Sequence, residues 1–194
     1  AGLKKGMKVL DVGVGTGLVA AQACILAGNP ALVTGVDPSP GMLAASKLPE
    51  TMVLIEGRAE SLAFPDNHFD FLSMGYALRH ISDLSVAFVE FERVLKPGGR
   101  LCILEITKPQ NRFGQWLLKN YMRGVIPLLT RFVSRQKATT TMWRYFWDSI
   151  EACVPPEHVL ATLHAAKLTQ VKRHLELGIF SEYQAVKADP SQPN

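Results

Sequence analysis

The chain alternates short apolar runs with stretches of helical spacing. MKVLDV (7–12) is a β-branched apolar run, and LVAAQACILAG (18–28) after it reads as a helix closed by Gly28. ALVTGVD (31–37) predicts a second strand, and SPGMLAASKL (39–48) a helix with Ser39 as N-cap and Pro40 in its first position. TMVLIEG (51–57) and FDFLSMG (69–75) predict the third and fourth strands, the latter entered by the turn FPDNH. DLSVAFVEFERVL (83–95) is a helix stopped by KPGG, and RLCILEI (100–106) a fifth strand. Near the end, PPEHVLATLHAAKL predicts a helix with Pro at its start and Glu157 in its first turn. TQVKRHLEL and FSEYQAVKA follow as alternating strands whose short Gly-Ile link makes them an antiparallel pair at the sheet edge.

Strands and helices exchanged at this pace build βαβ units, hence a parallel sheet covered on both faces. The expected fold is α/β, Rossmann-like, with seven mostly parallel strands, an antiparallel last strand and a helical insertion after the fifth. The expected organisation is a core over 1–108, a basic, aromatic helical insertion over 109–152 serving as a substrate lid, and 153–194 completing the same domain.

Charge is unevenly spread. The net +4 hides a segment, Thr107 to Trp147, with eight Lys or Arg and no Asp or Glu, which also holds eight of the sixteen aromatics and all three tryptophans. Three readings of it compete: a helical layer with a solvated basic face, a lid with an aromatic pocket, or a surface for anionic membranes. A pI of about 9.0 admits nucleic acid, but no RNA-binding signature accompanies the charge, so no nucleic-acid partner is expected. No apolar stretch reaches the roughly 20 residues that span a bilayer. The opening AGLKKGMKVL lacks a signal-peptide layout, and a cytoplasmic protein is expected, membrane-peripheral on the third reading. Cys24, Cys102 and Cys153 have neither disulfide nor metal spacing and read as buried thiols. His68, His158, His164 and His174 have no partner at ligand spacing, so no metal is expected.

In an open α/β sheet, ligands lie beyond the strands' carboxyl ends where strand order reverses. DVGVGTG, from Asp11 through Gly13, Gly15, Thr16 and Gly17, is the first strand-to-helix turn. Its glycines allow positive φ and close backbone approach, and free amides there and at the helix N-terminus suit a negative group. The spacing is GxGxG. A dinucleotide fingerprint would need a third glycine at position 18, which is Leu18, so a nicotinamide oxidoreductase is disfavoured. Asp37 ends the second strand, where a carboxylate holds a ribose diol. Loop, acid and context together suit S-adenosylmethionine (SAM), whose amino-acid carboxylate would meet the loop amides.

Four segments, VLDVGVGTG, GRAESLAFPDNHFD, GYALRHISD and RVLKPGGRLCILEITKP, make the chain resemble the class I SAM-dependent methyltransferases, and within them the ubiquinone/menaquinone biosynthesis C-methyltransferases. The likeness covers roughly residues 5 to 187. It implies that Thr16 and its glycines hold the methionine end of SAM, Asp37 the ribose, Met42 one face of the adenine, and Arg58 and Ala59 its edge. Family members often carry Asn or Asp at position 58, Ser at Gly75 and Asn at His80, and they have N-terminal helices covering the cofactor. Methyl transfer is an in-line displacement, and a phenol or quinol becomes a carbon nucleophile once its hydroxyl is deprotonated. His80 is the candidate base, and the resemblance gives Arg79 the stabilisation of the oxyanion. The alternative is that Arg79 pairs with an acid such as Asp83 and His80 caps the next helix. The expected function is methyl transfer to a small or lipid-like aromatic, phenolic or quinol acceptor, with C-methylation favoured. An O- or N-methyltransferase of secondary metabolism and a non-catalytic binding module are the rivals.

Overall fold

The computed structural model describes residues 1–109, 112–121, 148 and 153–191. Among them seven strands form one sheet: β1 (Val9–Val12), β2 (Val33–Asp37), β3 (Val53–Glu56), β4 (Phe69–Gly75), β5 (Leu95–Ile106), β6 (Leu168–Glu176) and β7 (Phe180–Lys187). Their spatial order is β3-β2-β1-β4-β5-β7-β6. β1 to β5 are parallel, and β7 alone runs against both its neighbours. The strands are those expected, with one refinement: β7 takes the slot beside β5 and leaves β6 at the edge.

Two apolar layers cover the sheet because successive side chains of a strand point to opposite faces. Val9 and Val33 pack with Ala20, Ala23, Cys24 and Ala27 of α1 (Leu18–Ala27) on one side. Leu10 and Val12 pack on the other with Phe88 and Phe91 of the next long helix, Leu84–Val94, and with Val159 and Leu163 of the helix Pro156–Ala165. With the short helix Pro40–Ala44 and the helix Arg112–Asn120 counted, these are α2 (40–44), α3 (84–94), α4 (112–120) and α5 (156–165).

The punctuation acts locally as the residue types require. Gly28 ends α1 in the left-handed conformation, φ 77°, and its N–H donates to Cys24 O. The Ser39 side chain accepts from Met42 N–H, but α2 stops at Ala44, earlier than its apolar spacing suggested. The KPGG segment does end α3, yet it lies inside β5: the register on β4 jumps from Phe69↔Leu95 to Phe71↔Arg100 around it. α4 presents Trp116 to solvent, and Tyr121 beyond it is also exposed. The remainder of the basic segment, including Pro127, Trp143, Tyr145 and Trp147, lies outside the described residues, so the three readings of that segment stay where the sequence left them.

Candidate active site

Strand order reverses between β1 and β4, and both strands turn there at their carboxyl ends. Two cavities meet at that point. One, of about 350 Å³, is lined by Asp11, Gly13, Gly15, Thr16, Gly75, Tyr76, Arg79 and His80 among others. The second, of about 250 Å³, is lined by Arg58, Ala59, Gly57, Glu60 and Ile81. Gly13, Asp37, Met42, Ala77 and His80 line both, so the two are parts of one crevice.

The glycine loop is built differently from the free-amide cradle expected of it. The N–H groups of Gly13 and Val14 both donate to Val36 O, at 2.8 and 3.0 Å, and that of Gly17 to Val14 O at 2.8 Å. Gly15 N–H donates to Asp37 Oδ2 at 2.8 Å. Four of the five loop amides are thus committed within the protein. The glycines are required by space and φ instead: at Gly13, φ 70°, a Cβ would lie 2.4 Å from that of Ala77. Gly17 does not line the crevice. At φ 96° it caps α1, and a Cβ there would strike Leu48 at 2.5 Å. Thr16 stands exposed at the tip of the loop.

Asp37 is buried and orders two segments at once, since Ser39 N–H donates to its other oxygen at 2.9 Å. Each oxygen keeps a further lone pair for a hydroxyl donor. On the same edge Met42, Gly57, Ala59 and Ile81 give the smaller cavity an apolar lining. Gly75 contributes backbone only, because any Cβ would meet Val19 Cγ2 at 2.3 Å. The serine that the resemblance would place there has no room in this chain.

Asp11 sits at the floor, wholly buried, accepting from Ser73 Oγ at 2.6 Å. Burial outweighs the Ser73 bond and the smaller pull of the nearby Ala20 amide and pushes the Asp11 carboxyl up to about 7 from 3.8. The folded protein then keeps a proton that the unfolded chain releases, so this group's contribution to stability falls as pH rises from about 4 to about 7. Asp11→Asn is expected to flatten that part of the slope in urea unfolding followed across the same pH range. A slope equal to that of wild type would show Asp11 to be ionised throughout.

Arg79 and His80 occupy a 3-10 turn, Leu78–His80, after β4. Asp83 is spent on capping α3, where it accepts from the Ser85 and Val86 amides. Arg79 does pair with an acid, but the acid is Glu105 of β5, with Nη1 to Oε1 at 2.5 Å. Their side chains are 6% and 0% exposed. Glu105 also accepts from the amides of Arg79 and Ile106. Arg79 Nε is buried without a hydrogen-bond partner, in a residue that lines the larger cavity. His80 caps nothing. His80 is exposed, and partial desolvation first, then the Arg79 charge, lowers its pKa from the usual 6.5 despite Glu105, which favours the neutral imidazole. Neither cavity has a cysteine among its described lining residues, and burial pushes Cys102 up to about 12 and Cys153 to about 11. Among the described residues no cluster of His, Cys, Asp or Glu could hold a metal ion.

The sequence reading passed over Glu105 and Tyr76. Glu105 had a signal, being the one acid in the apolar run RLCILEI, where burial demands a partner. Tyr76 had none, since nothing in its residue type announces φ 59°.

Comparison with known proteins gives the crevice a context. The sequence matches the model of the ubiE/COQ5 methyltransferase family over residues 1–187. The ubiquinone/menaquinone biosynthesis C-methyltransferase UbiE of Saccharophagus degradans is 30% identical over 96% of this chain and 77% of its own length. That of Shewanella halifaxensis is 35% identical over 77% of this chain and 61% of its own length. Among solved structures, a SAM-dependent methyltransferase of Aquifex aeolicus superposes with a TM-score of 0.68 at 21% identity, over 96% of this chain and 85% of that one. The [4+2]-cyclase SpnF superposes at 0.67 with 20% identity, over 96% and 77%. These two likenesses speak to the fold.

Proposed function

Because the chain belongs to the ubiE/COQ5 methyltransferase family and is a SAM-dependent methyltransferase, we propose that it methylates a ring carbon of a phenolic or quinol-like acceptor held over Arg79 and His80. The observation that carries this reading is the position of His80, on the wall common to both cavities. A cofactor gripped on the Asp37 side and an acceptor on the Arg79 side would meet at that residue.

The residues fit SAM. Asp37 has oxygens to spare for the ribose hydroxyls, the apolar smaller cavity suits a purine, and exposed Thr16 marks the amino-acid end. When bound, SAM supplies a methyl group on a positively charged sulfur, open to displacement by a carbon nucleophile. The protein's own work is to make that nucleophile and keep water away from it. Neutral His80 accepts the proton of the acceptor hydroxyl, which drives electron density onto the ring carbons, and the carbon that takes the methyl then sheds its own hydrogen as a proton to restore the aromatic ring. Arg79, fixed by Glu105 on the wall of the larger cavity, brings its positive charge beside the oxygen that gains charge. Positioning in the crevice then supplies the alignment that in-line transfer needs.

The test is product analysis. With methyl-labelled SAM and either hydroquinone or 1,4-dihydroxynaphthalene, the labelled carbon is expected on the ring in the NMR spectrum. A label found only as an aryl ether, or no product from either acceptor, would overturn the proposal.

A further inference from the structure

Five described residues other than glycine have positive φ, and of these only Tyr76 lines the crevice. A left-handed conformation is unfavourable for a bulky side chain and comfortable for Gly or Asn. The backbone here has no alternative. Gly75 is pressed against Val19, Ala77 lies against Gly13, and Tyr76 N–H donates to Leu104 O at 2.7 Å, extending the β4–β5 ladder by one bond. The chain must leave the strand in a left-handed step at this point. A residue without a ring would take that step with less strain. The backbone conformation therefore does not call for an aromatic residue, yet the position holds a half-buried tyrosine that lines the larger cavity, three and four residues before Arg79 and His80. Strain held by its surroundings at a ligand site is a mark of use.

We propose that Tyr76 is the acceptor-recognition residue of this enzyme, its ring forming the wall on which a planar aromatic acceptor stacks beside Arg79 and His80. The assignment rests on the acceptor class proposed above. Offset or edge contacts between aromatic rings are worth roughly a factor of ten in binding at the upper end of their range.

Tyr76→Asn suits the backbone and removes the ring, while Tyr76→Phe keeps the ring and removes the hydroxyl. For Tyr76→Asn the melting temperature is expected to hold or rise by a few degrees. SAM affinity by calorimetry should stay within about twofold, and kcat/KM for 1,4-dihydroxynaphthalene should fall about tenfold, chiefly through KM. Tyr76→Phe should stay near wild type in all three measurements. The assignment is overturned if Tyr76→Asn keeps its kcat/KM, or if SAM affinity falls in parallel. It is also overturned if Tyr76→Phe is as impaired as Tyr76→Asn, or if the melting temperature of Tyr76→Asn drops sharply, which would make the ring a structural prop. A wild-type protein inert toward phenols and hydroquinones would sink the acceptor reading itself. An active wild type with an unaffected Tyr76→Asn sinks this inference alone.

Discussion

Glu105→Ala is expected to destabilise the protein by about 3–5 kcal/mol and lower its melting temperature by on the order of 10 °C. The variant leaves the Arg79 guanidinium, 6% exposed, without its counter-charge. It also strips an acceptor from the Arg79 and Ile106 amides. The pair is not an efficient way to stabilise a fold, because removing two charges from water offsets most of their attraction. Hence the double variant Arg79→Met/Glu105→Leu is expected to recover most of the loss in chemical denaturation while remaining inactive toward the acceptor. That combination separates the pair's structural burden from its chemical use. A single variant within about 1 kcal/mol of wild type would mean that the pair is solvated, as exposed ion pairs are.

His80→Ala is expected to lower turnover at saturating SAM by about a hundredfold or more, the usual share of a positioned general base. SAM affinity should hardly change. The pH profile gives the sharper test. Since His80 titrates below 6.5, kcat/KM of the wild type should rise along an acidic limb with an apparent pKa under that value and then level off. In the variant the limb should be gone. If the limb persists unchanged, the base is another group. Arg79 and Glu105 face the imidazole with opposite signs, so Glu105→Gln should move the limb further toward acid.

Much of this molecule could be read from local signals, and the reason is physical. Gly28, Ser39 and the KPGG segment act within one turn of chain, so their effects are written in consecutive residues. Period-two and helical spacings likewise gave every described strand and the long helices. The crevice was legible for the same reason, since in a parallel sheet each strand-to-helix turn falls on one edge. What escaped depends on register. Arg79 and Glu105 are 26 residues apart and meet because Gly75 pairs with Leu104, which no local spacing encodes. Three of the loop amides, those of Gly13, Val14 and Gly15, looked free because their acceptors, Val36 and Asp37, belong to another strand. Gly17 reads like its neighbours in GxGxG, but Leu48 above it turns it into a packing residue.

The wedging of the β4 turn has an evolutionary corollary. Gly75 against Val19 and Ala77 against Gly13 leave no room for a larger residue at 75 or 13. On the proposed assignment, new reactivity would come through exchange of the side chains at 76 and 79, which line only the larger cavity. Retooling such a scaffold is thus a matter of few codons rather than of rebuilt loops.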